Sequence, residues 1–255
     1  IWINEETYKL AMAQLVNYEI SKGISFGSRR ATFAGRMLKK VEDLKPPFSR
    51  YNKAENQRLF SSYHLNPSTF SDYEKELNEF QPEEIIGYPS AICDLASQYI
   101  QANHEPTYQV KAIITNSETL LDWQQEQIEN VFKCKAFSYY GTSEYLIFAG
   151  QDLNGIYNVH PMMGLAEIVN KSETENSGNL VATTLSNYSM PLLRYDLGDQ
   201  AEAINSTNNT TVHQIKAITG RVDDYLETLD GRKIGRIDHI FKGLKALFLI
   251  LILLF

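Results

Sequence analysis

The sequence predicts an α/β protein, with βαβ units over its first half and antiparallel ribbons after them. Three observations predict it. Short apolar runs alternate with amphipathic helical patterns from residue 85 to residue 140, the signature of parallel strands joined by crossover helices. After Glu144 the helical period stops, and strand-like runs follow one another across polar loops. Asp230-Gly231, flanked by Tyr225-Leu226-Glu227-Thr228-Leu229 and Arg232-Lys233-Ile234, is a strong hairpin signal.

The elements follow in order. Residues 4–22 carry Leu10, Ala11, Leu15, Tyr18 and Ile20 near helical spacing and stop at Gly23. Residues 30–35 read as a short strand closing on glycine. The stretch 29–58 is locally basic, with Arg29, Arg30, Arg36, Lys39, Lys40, Lys45, Arg50, Lys53 and Arg58, and Pro46-Pro47 prevents one continuous helix. It reads as a solvated loop face or as a contact surface for a phosphorylated partner. Asn66-Pro67-Ser68 opens a helix with Phe70, Tyr73, Leu77 and Phe80 on one face. Ile85-Ile86-Gly87-Tyr88 reads as a strand, and Pro89 suits the first turn of a helix bearing Ile92, Leu95, Ala96, Tyr99 and Ile100. Residues 110–115 form another strand. Asp122 is expected to cap a helix carrying Ile128, Val131 and Phe132. The run 136–140 is a strand ending at Gly141, and 164–169, 178–185, 192–203 and 212–218 are the ribbon strands.

Composition narrows the function. Hydrophobic residues make up 43% and charged residues 22% of the 255, as in an ordinary globular protein. A formal net charge of −7 argues against nucleic-acid binding, which calls for a basic domain or stripe. Two cysteines, Cys93 and Cys134, sit in apolar periodic segments and read as buried reduced thiols, in keeping with a cytoplasmic home. The apolar run 246–255 is shorter than the roughly 20 residues a membrane span needs, so no stable membrane insertion is expected. It reads as a buried strand, an aggregation-prone end or the product of a broken reading frame.

Four polar clusters interrupt otherwise buried patterns. In Tyr140-Gly141-Thr142-Ser143-Glu144, the glycine admits close backbone approach, the hydroxyls can reach phosphate oxygens, and the carboxylate can hold Mg²⁺. Thr115-Asn116-Ser117-Glu118-Thr119 follows a strand and reads as a site edge or as a helix N-cap. In Arg194-Tyr195-Asp196-Leu197-Gly198-Asp199, Asp199 can grip two ribose hydroxyls or serve a salt-bridged strand end. Gly220-Arg221-Val222-Asp223-Asp224 is a surface turn or a hinge with a phosphate-binding arginine.

The order and spacing of these four clusters resemble the later core motifs of the adenylate-forming superfamily: acyl- and aryl-CoA ligases, luciferases and non-ribosomal adenylation domains. The match is nearest to the phenylacetate–CoA ligase-like family, including its capsular-polysaccharide-biosynthesis branch. Lys45-Pro46-Pro47-Phe48, Ser61-Ser62-Tyr63-His64, Gly87-Tyr88-Pro89-Ser90 and the run 230–241 look like branch signatures. The resemblance runs from about residue 25 to Gly243. It implies a partial adenylation core over 1–219, then a hinge and the start of a small C-terminal domain over 220–255. It also implies a role for each residue. Tyr140 stacks beside adenine, opposite the backbone of Ser117, Glu118 and Thr119, with Gly141 following. Thr142 and Ser143 touch the α-phosphate. Glu144 binds Mg²⁺, and Asp199 holds the ribose. Arg221 contacts ribose or phosphate, and Asp223 is the hinge. The implied substrates are ATP, a small carboxylic acid and coenzyme A, and a homodimer is compatible with the pattern.

The glycine- and hydroxyl-rich phosphate loop expected before residue 1 and the adenylation lysine expected after Gly243 are not in this sequence. The sequence therefore reads as a fragment with half an active site, itself inactive in adenylation. Two other readings stand beside the CoA ligase: a non-catalytic remnant, and an adenylate-forming enzyme with a non-CoA acceptor in cell-surface polysaccharide assembly.

Overall fold

The first helix, α1 (Glu5–Ser21), begins where Asn4 Oδ1 accepts from Thr7 N at 2.7 Å, with Glu5 and Glu6 at its positive end. Thr7, Ala11, Gln14 and Tyr18 recur at steps of four and three and are its buried stripe. This computed structural model describes residues 1–169, 176–204, 211–221, 225–227 and 233–235. Asp223, the turn at Asp230-Gly231 and the apolar run 246–255 lie outside the described residues.

The parallel half comes next. It contains β1 (Arg30–Ala34), β2 (Ser49–Asn52), β3 (Gln57–Ser61), α2 (Phe70–Phe80), β4 (Glu84–Gly87), α3 (Pro89–Ala102), β5 (Ala112–Thr115), α4 (Asp122–Phe132) and β6 (Ala136–Gly141). The antiparallel half contains β7 (Phe148–Gln151), β8 (Tyr157–Val159), β9 (Gly164–Val169), β10 (Ser177–Thr184), β11 (Tyr195–Ala203), β12 (Thr211–Val212) and β13 (Gln214–Arg221). A separate ribbon pairs β14 (Tyr225–Glu227) with β15 (Lys233–Gly235), where the hairpin was expected.

Among the described residues, one sheet runs in the order β12-β9-β10-β11-β13-β8-β7-β6-β5-β4-β1-β3-β2. From β3 to β6 the neighbours are parallel; the edge strand β2 and everything from β7 onward are antiparallel. Period-two alternation splits the parallel strands between two layers. Ile85, Ile113 and Ala136 pack with Tyr73, Leu77, Ile92, Leu95, Tyr99 and Ile128 of α2, α3 and α4. Ile86, Ile114 and Phe137 pack with Ala11 and Tyr18 of α1.

Two expectations change. The basic stretch 29–58 is not one loop face: β2 and β3 form an antiparallel pair within it. Polar Ser49, Arg50, Gln57 and Arg58 hid the alternation, because an edge pair needs few apolar residues. Arg58 Nη1 pairs with Glu76 at 3.1 Å and Arg29 Nη2 with Glu83 at 3.2 Å, so these charges serve the fold. Asp122 lies in the first turn of α4, and the cap is Leu121, whose N–H donates to Gln124 Oε1 at 3.1 Å.

Arg30 is shared by two buried carboxylates, Glu19 of α1 at 2.5 Å and Glu84 of β4 at 2.9 Å. Oε1 of each glutamate is buried without a hydrogen-bond partner. Burial raises both carboxyl groups above their ordinary range, Glu84 raises Glu19 further, and Arg30 opposes the shift. One arginine neutralises one carboxylate, so the second holds a proton more readily in the folded chain than in the unfolded one. The folded state then binds more protons between the ordinary carboxyl range and the raised one, and stability falls as pH climbs through that window. The melting temperature is expected to drop from about pH 5 upward through neutrality. Glu84→Gln leaves Arg30 a single carboxylate and should flatten that slope; an unchanged slope counts against the shared proton. Gly87 gives a second test. A Cβ there would lie 1.8 Å from Phe33 O, so Gly87→Ala must displace backbone. A loss of about 3 kcal/mol or more in urea unfolding is expected.

Candidate active site

The sheet changes character along β6. Residues Ala136, Phe137 and Ser138 pair in parallel with β5, whereas Tyr139, Tyr140 and Gly141 pair antiparallel with β7. β5 and β7 lie on opposite edges of β6, and ligands of open α/β sheets bind outside the carboxyl ends of the parallel strands. Alternation sends Tyr139 to the α1 layer, stacked on Phe148 at 5.2 Å. Tyr140 faces the other way and packs against the core of the antiparallel ribbons. Its hydroxyl donates to Asp199 Oδ2 at 2.5 Å, across 59 positions of chain.

Beyond Gly141 the chain turns tightly. Thr142 O accepts from Tyr145 N at 3.0 Å, Thr142 Oγ1 accepts from Leu146 N at 3.2 Å, and Tyr145 takes a φ of 56°. Ser143 is exposed and Glu144 half-buried. Among the described residues, neither side chain makes a hydrogen bond or ion pair. Glu144 is thus presented rather than tied down.

Two more segments reach the same end of the sheet. Asp199 stands opposite Arg221 in the β11–β13 register. One residue earlier on β13, Gly220 has a φ of 75°, and a Cβ there would lie 3.7 Å from Thr119 Oγ1. The 116–121 loop therefore abuts the end of β13. Asn116 N donates to Gly87 O at 3.0 Å, and Ser117 has a φ of 66°. Glu118 Oε2 accepts from Ser90 N at 3.1 Å, filling an open donor in the first turn of α3 with a negative charge. Residues 115–119 therefore do not cap α4, which starts later; through Glu118 they cap α3.

The structure thus brings together Tyr140 and Asp199, Thr119 and Gly220, and the 142–144 turn beside them. Arg221 enters through its backbone register, and Asp223 lies outside the described residues. Arg194 is drawn away, with Nε on Glu167 at 3.1 Å. Sequence reasoning put Tyr18 on the buried face of the first helix but missed that it and Gln151 hold β6 at its crossing point; Gln151 stands in no recognisable pattern. A cavity of about 200 Å³ between α1 and β7–β8, lined by residues such as Lys22, Gln151 and His160, contains none of the residues brought together here.

Among the described residues no group of three or more His, Cys, Asp or Glu can hold a metal alone. Mg²⁺ in nucleotide sites binds through one or two carboxylates plus substrate phosphates rather than a protein cage. Glu144, half-buried in the turn after β6, carries a carboxylate of that type. Both cysteines are free thiols, raised by burial, Cys93 to about 11 and Cys134 to about 12. At neutral pH neither is a ready nucleophile. No helix among the described residues is long and apolar enough to cross a membrane.

No family model matches the chain. A crystal structure of 2-hydroxyisobutyryl-CoA ligase in the postadenylation state with R3-HIB-AMP superposes at a TM-score of 0.65, with 17% identity, over 96% of this chain and 54% of that one. The chain has the adenylate-forming ligase fold. An open conformation of the same ligase with 2-HIB-AMP and CoA gives a TM-score of 0.62 at 17% identity, over 96% of this chain and 60% of that one. In sequence, Protein CapK of Staphylococcus aureus is 32% identical over 220 residues, which is 85% of this chain and 49% of CapK. The chain thus spans about half the length of these adenylate-forming ligases and of CapK. The agreement in fold covers both the parallel sheet and the ribbons that meet at β6.

The helix-capping contact gives a test of its own. Glu118→Ala should cost about 1 kcal/mol in urea unfolding, the usual worth of a lost cap. An unchanged unfolding midpoint would show that Ser90 N needs no such acceptor.

Proposed function

We propose that this site activates a small carboxylic acid with ATP, as part of a carboxylate–CoA ligase of the phenylacetate–CoA ligase-like kind. The observation that supports this best is the Tyr140–Asp199 hydrogen bond, which joins a flat aromatic ring and a ribose-type acceptor at the end of β6, where the parallel sheet meets the antiparallel ribbons. In this reading Tyr140 and the backbone of Ser117, Glu118 and Thr119 flank adenine, and Asp199 accepts from the ribose. Thr142 and Ser143 donate to the α-phosphate. Arg221 contacts ribose or phosphate, and Asp223 is a hinge for a small domain beginning near residue 220. Glu144 is the Mg²⁺ carboxylate, and the cation supplies charge neutralisation to the phosphates.

The chemistry has two halves. A substrate carboxylate oxygen attacks the α-phosphorus, the bond to the bridging oxygen breaks, and pyrophosphate leaves with that electron pair. A thiolate, that of coenzyme A, then attacks the acyl carbonyl, and AMP leaves. Positioning and electrostatic stabilisation carry the first half, since phosphoryl-type transfer asks little covalent help of the protein. In this reading the protein works in the cytoplasm, where its ATP and coenzyme A are supplied.

A second reading keeps the adenylation and changes the acceptor to a non-thiol group in cell-surface polysaccharide assembly. The 32% identity to CapK, beside the branch motifs at residues 45–48, 61–64 and 87–90, favours it. Acceptor assays with coenzyme A against amino sugars separate the two.

Calorimetric titration tests the nucleotide site. Mg²⁺–ATP is expected to bind the 255-residue chain, and Glu144→Gln should weaken that binding about tenfold, in line with loss of a charge-assisted contact. Binding of AMP without metal should be spared. Equal loss for both nucleotides would remove Glu144 from the metal role.

A further inference from the structure

Independently of the nucleotide reading, we infer that the cavity between α1 and β7–β8 is a binding site for a small organic monocarboxylate, separate from the nucleotide end of the sheet. Gln14 is the observation that carries it. This residue lines the cavity and is only 7% exposed, yet among the described residues its amide makes no hydrogen bond. A buried amide left unpaired is destabilising, and an apolar side chain of the same shape would avoid that cost. Lys22 stands in the same wall. Its Nζ lies 4.9 Å from the centre of the Tyr18 ring and 4.5 Å from that of Phe137. Among the described residues the ammonium has no ion pair or hydrogen bond. Burial holds it below its ordinary pKa, against the pull of Asp152. His160 Nδ1 accepts from Met162 N at 3.3 Å, so the neutral ring keeps its proton on Nε2 as a donor.

Other polar groups of the wall are already engaged. Gln151 accepts from Ser138 N and donates to Gly155 O. Asn158 donates to Ile156 O and accepts from Gln214 Nε2, and Asp152 Oδ1 accepts from Asn154 N and Ile156 N. An ammonium, an amide and an imidazole N–H stay uncommitted: mostly donors, with one positive charge. That set fits an oxyanion. Asp152 disfavours a second negative charge beside it, which points to a carboxylate rather than a phosphate dianion. Tyr18 and Phe148 offer apolar surface to the carbon body. The cavity's volume, about 200 Å³, is about seven times a water's share of the liquid, room for an acid of a few carbons. The acid is not activated here. Tyr8 meets Tyr145 at the phosphate turn, and Gln14 to Lys22 follow Tyr8 by about 9–21 Å of helix. Reacting atoms must approach within about 3–3.5 Å.

The test is a saturation-transfer NMR titration of the 255-residue chain with butyrate, beside butyramide and inorganic phosphate, with melting curves to confirm folding. Butyrate is expected to bind, and the other two to bind about tenfold more weakly or not at all. Lys22→Met should weaken butyrate about tenfold, the size of a lost charge-assisted hydrogen bond. Gln14→Met should weaken it about fivefold while the melting temperature holds or rises, because the unpaired amide is gone. Butyrate also belongs to the proposed substrate class, so binding that both variants spare takes place elsewhere and overturns the inference. Failure of folded wild-type chain to bind butyrate overturns it too, as does equal binding of butyramide or phosphate. None of these results touches the nucleotide reading, which the Mg²⁺–ATP titration tests by itself.

Discussion

One strand belongs to two ladders, and the rest of the structure depends on how that is managed. At Ser138, β6 has its last parallel partner in β5 and has not yet taken its first antiparallel partner in β7. Its buried backbone groups would be orphaned there, at a cost of about 1–3 kcal/mol each. Side chains fill the gap. Gln151 Oε1 accepts from Ser138 N at 2.8 Å, and the Tyr18 hydroxyl donates to Ser138 O at 3.0 Å and lies 2.9 Å from Gln151 O. One phenol has one proton, so it serves those two carbonyls in turn. Tyr18 reaches the spot only because residue 150 is glycine: a Cβ there would sit 2.3 Å from the ring.

That local repair places α1. Once Tyr18 is committed to the crossing point, the stripe of Ala11 and Gln14 lies along the same face, and Tyr8 meets Tyr145 edge-on at 6.3 Å. Tyr145 closes the turn holding Thr142, Ser143 and Glu144. The helix that satisfies the strand thus also braces the candidate phosphate turn. Crossing from one ladder to the other also separates the two tyrosines of β6. Tyr139 stays with α1, and Tyr140 passes to the ribbon layer, where Asp199 waits on β11.

Much of this was legible in the sequence, and the reasons differ by element. Helices α2 and α3 and strands β4 and β6 are local facts: a stripe at steps of three and four, a proline at the first turn, an apolar run ending in glycine. The four polar clusters stood out because each breaks a buried pattern at a strand end. Pairs β2–β3 and β7–β8 were not legible. Edge strands carry polar residues, and Phe148-Ala149-Gly150-Gln151 is too short and too mixed to show a period. Nor could local reading find that Glu118 caps α3 or that Gly220 abuts Thr119, since those contacts join segments 28 and about 100 positions apart.

Charge is the last link between fold and site. The chain is acidic by seven charges, yet the proposed ligand is a polyanion, and the site itself brings two carboxylates, Glu144 and Asp199. Arg221 is the arginine proposed to meet the ligand, and four others are committed elsewhere. Arg29, Arg30 and Arg58 are paired with glutamates of the parallel half, and Arg194 with Glu167. Asp199 is also engaged, as acceptor for Tyr140. Glu144 is different: among the described residues it has no ion pair. A carboxylate beside a phosphate is repulsive unless a cation lies between them, and then the same carboxylate becomes the cation's anchor. In an acidic chain with Arg29, Arg30, Arg58 and Arg194 held by glutamates, the proposed metal-recruiting glutamate is what would let a nucleotide in.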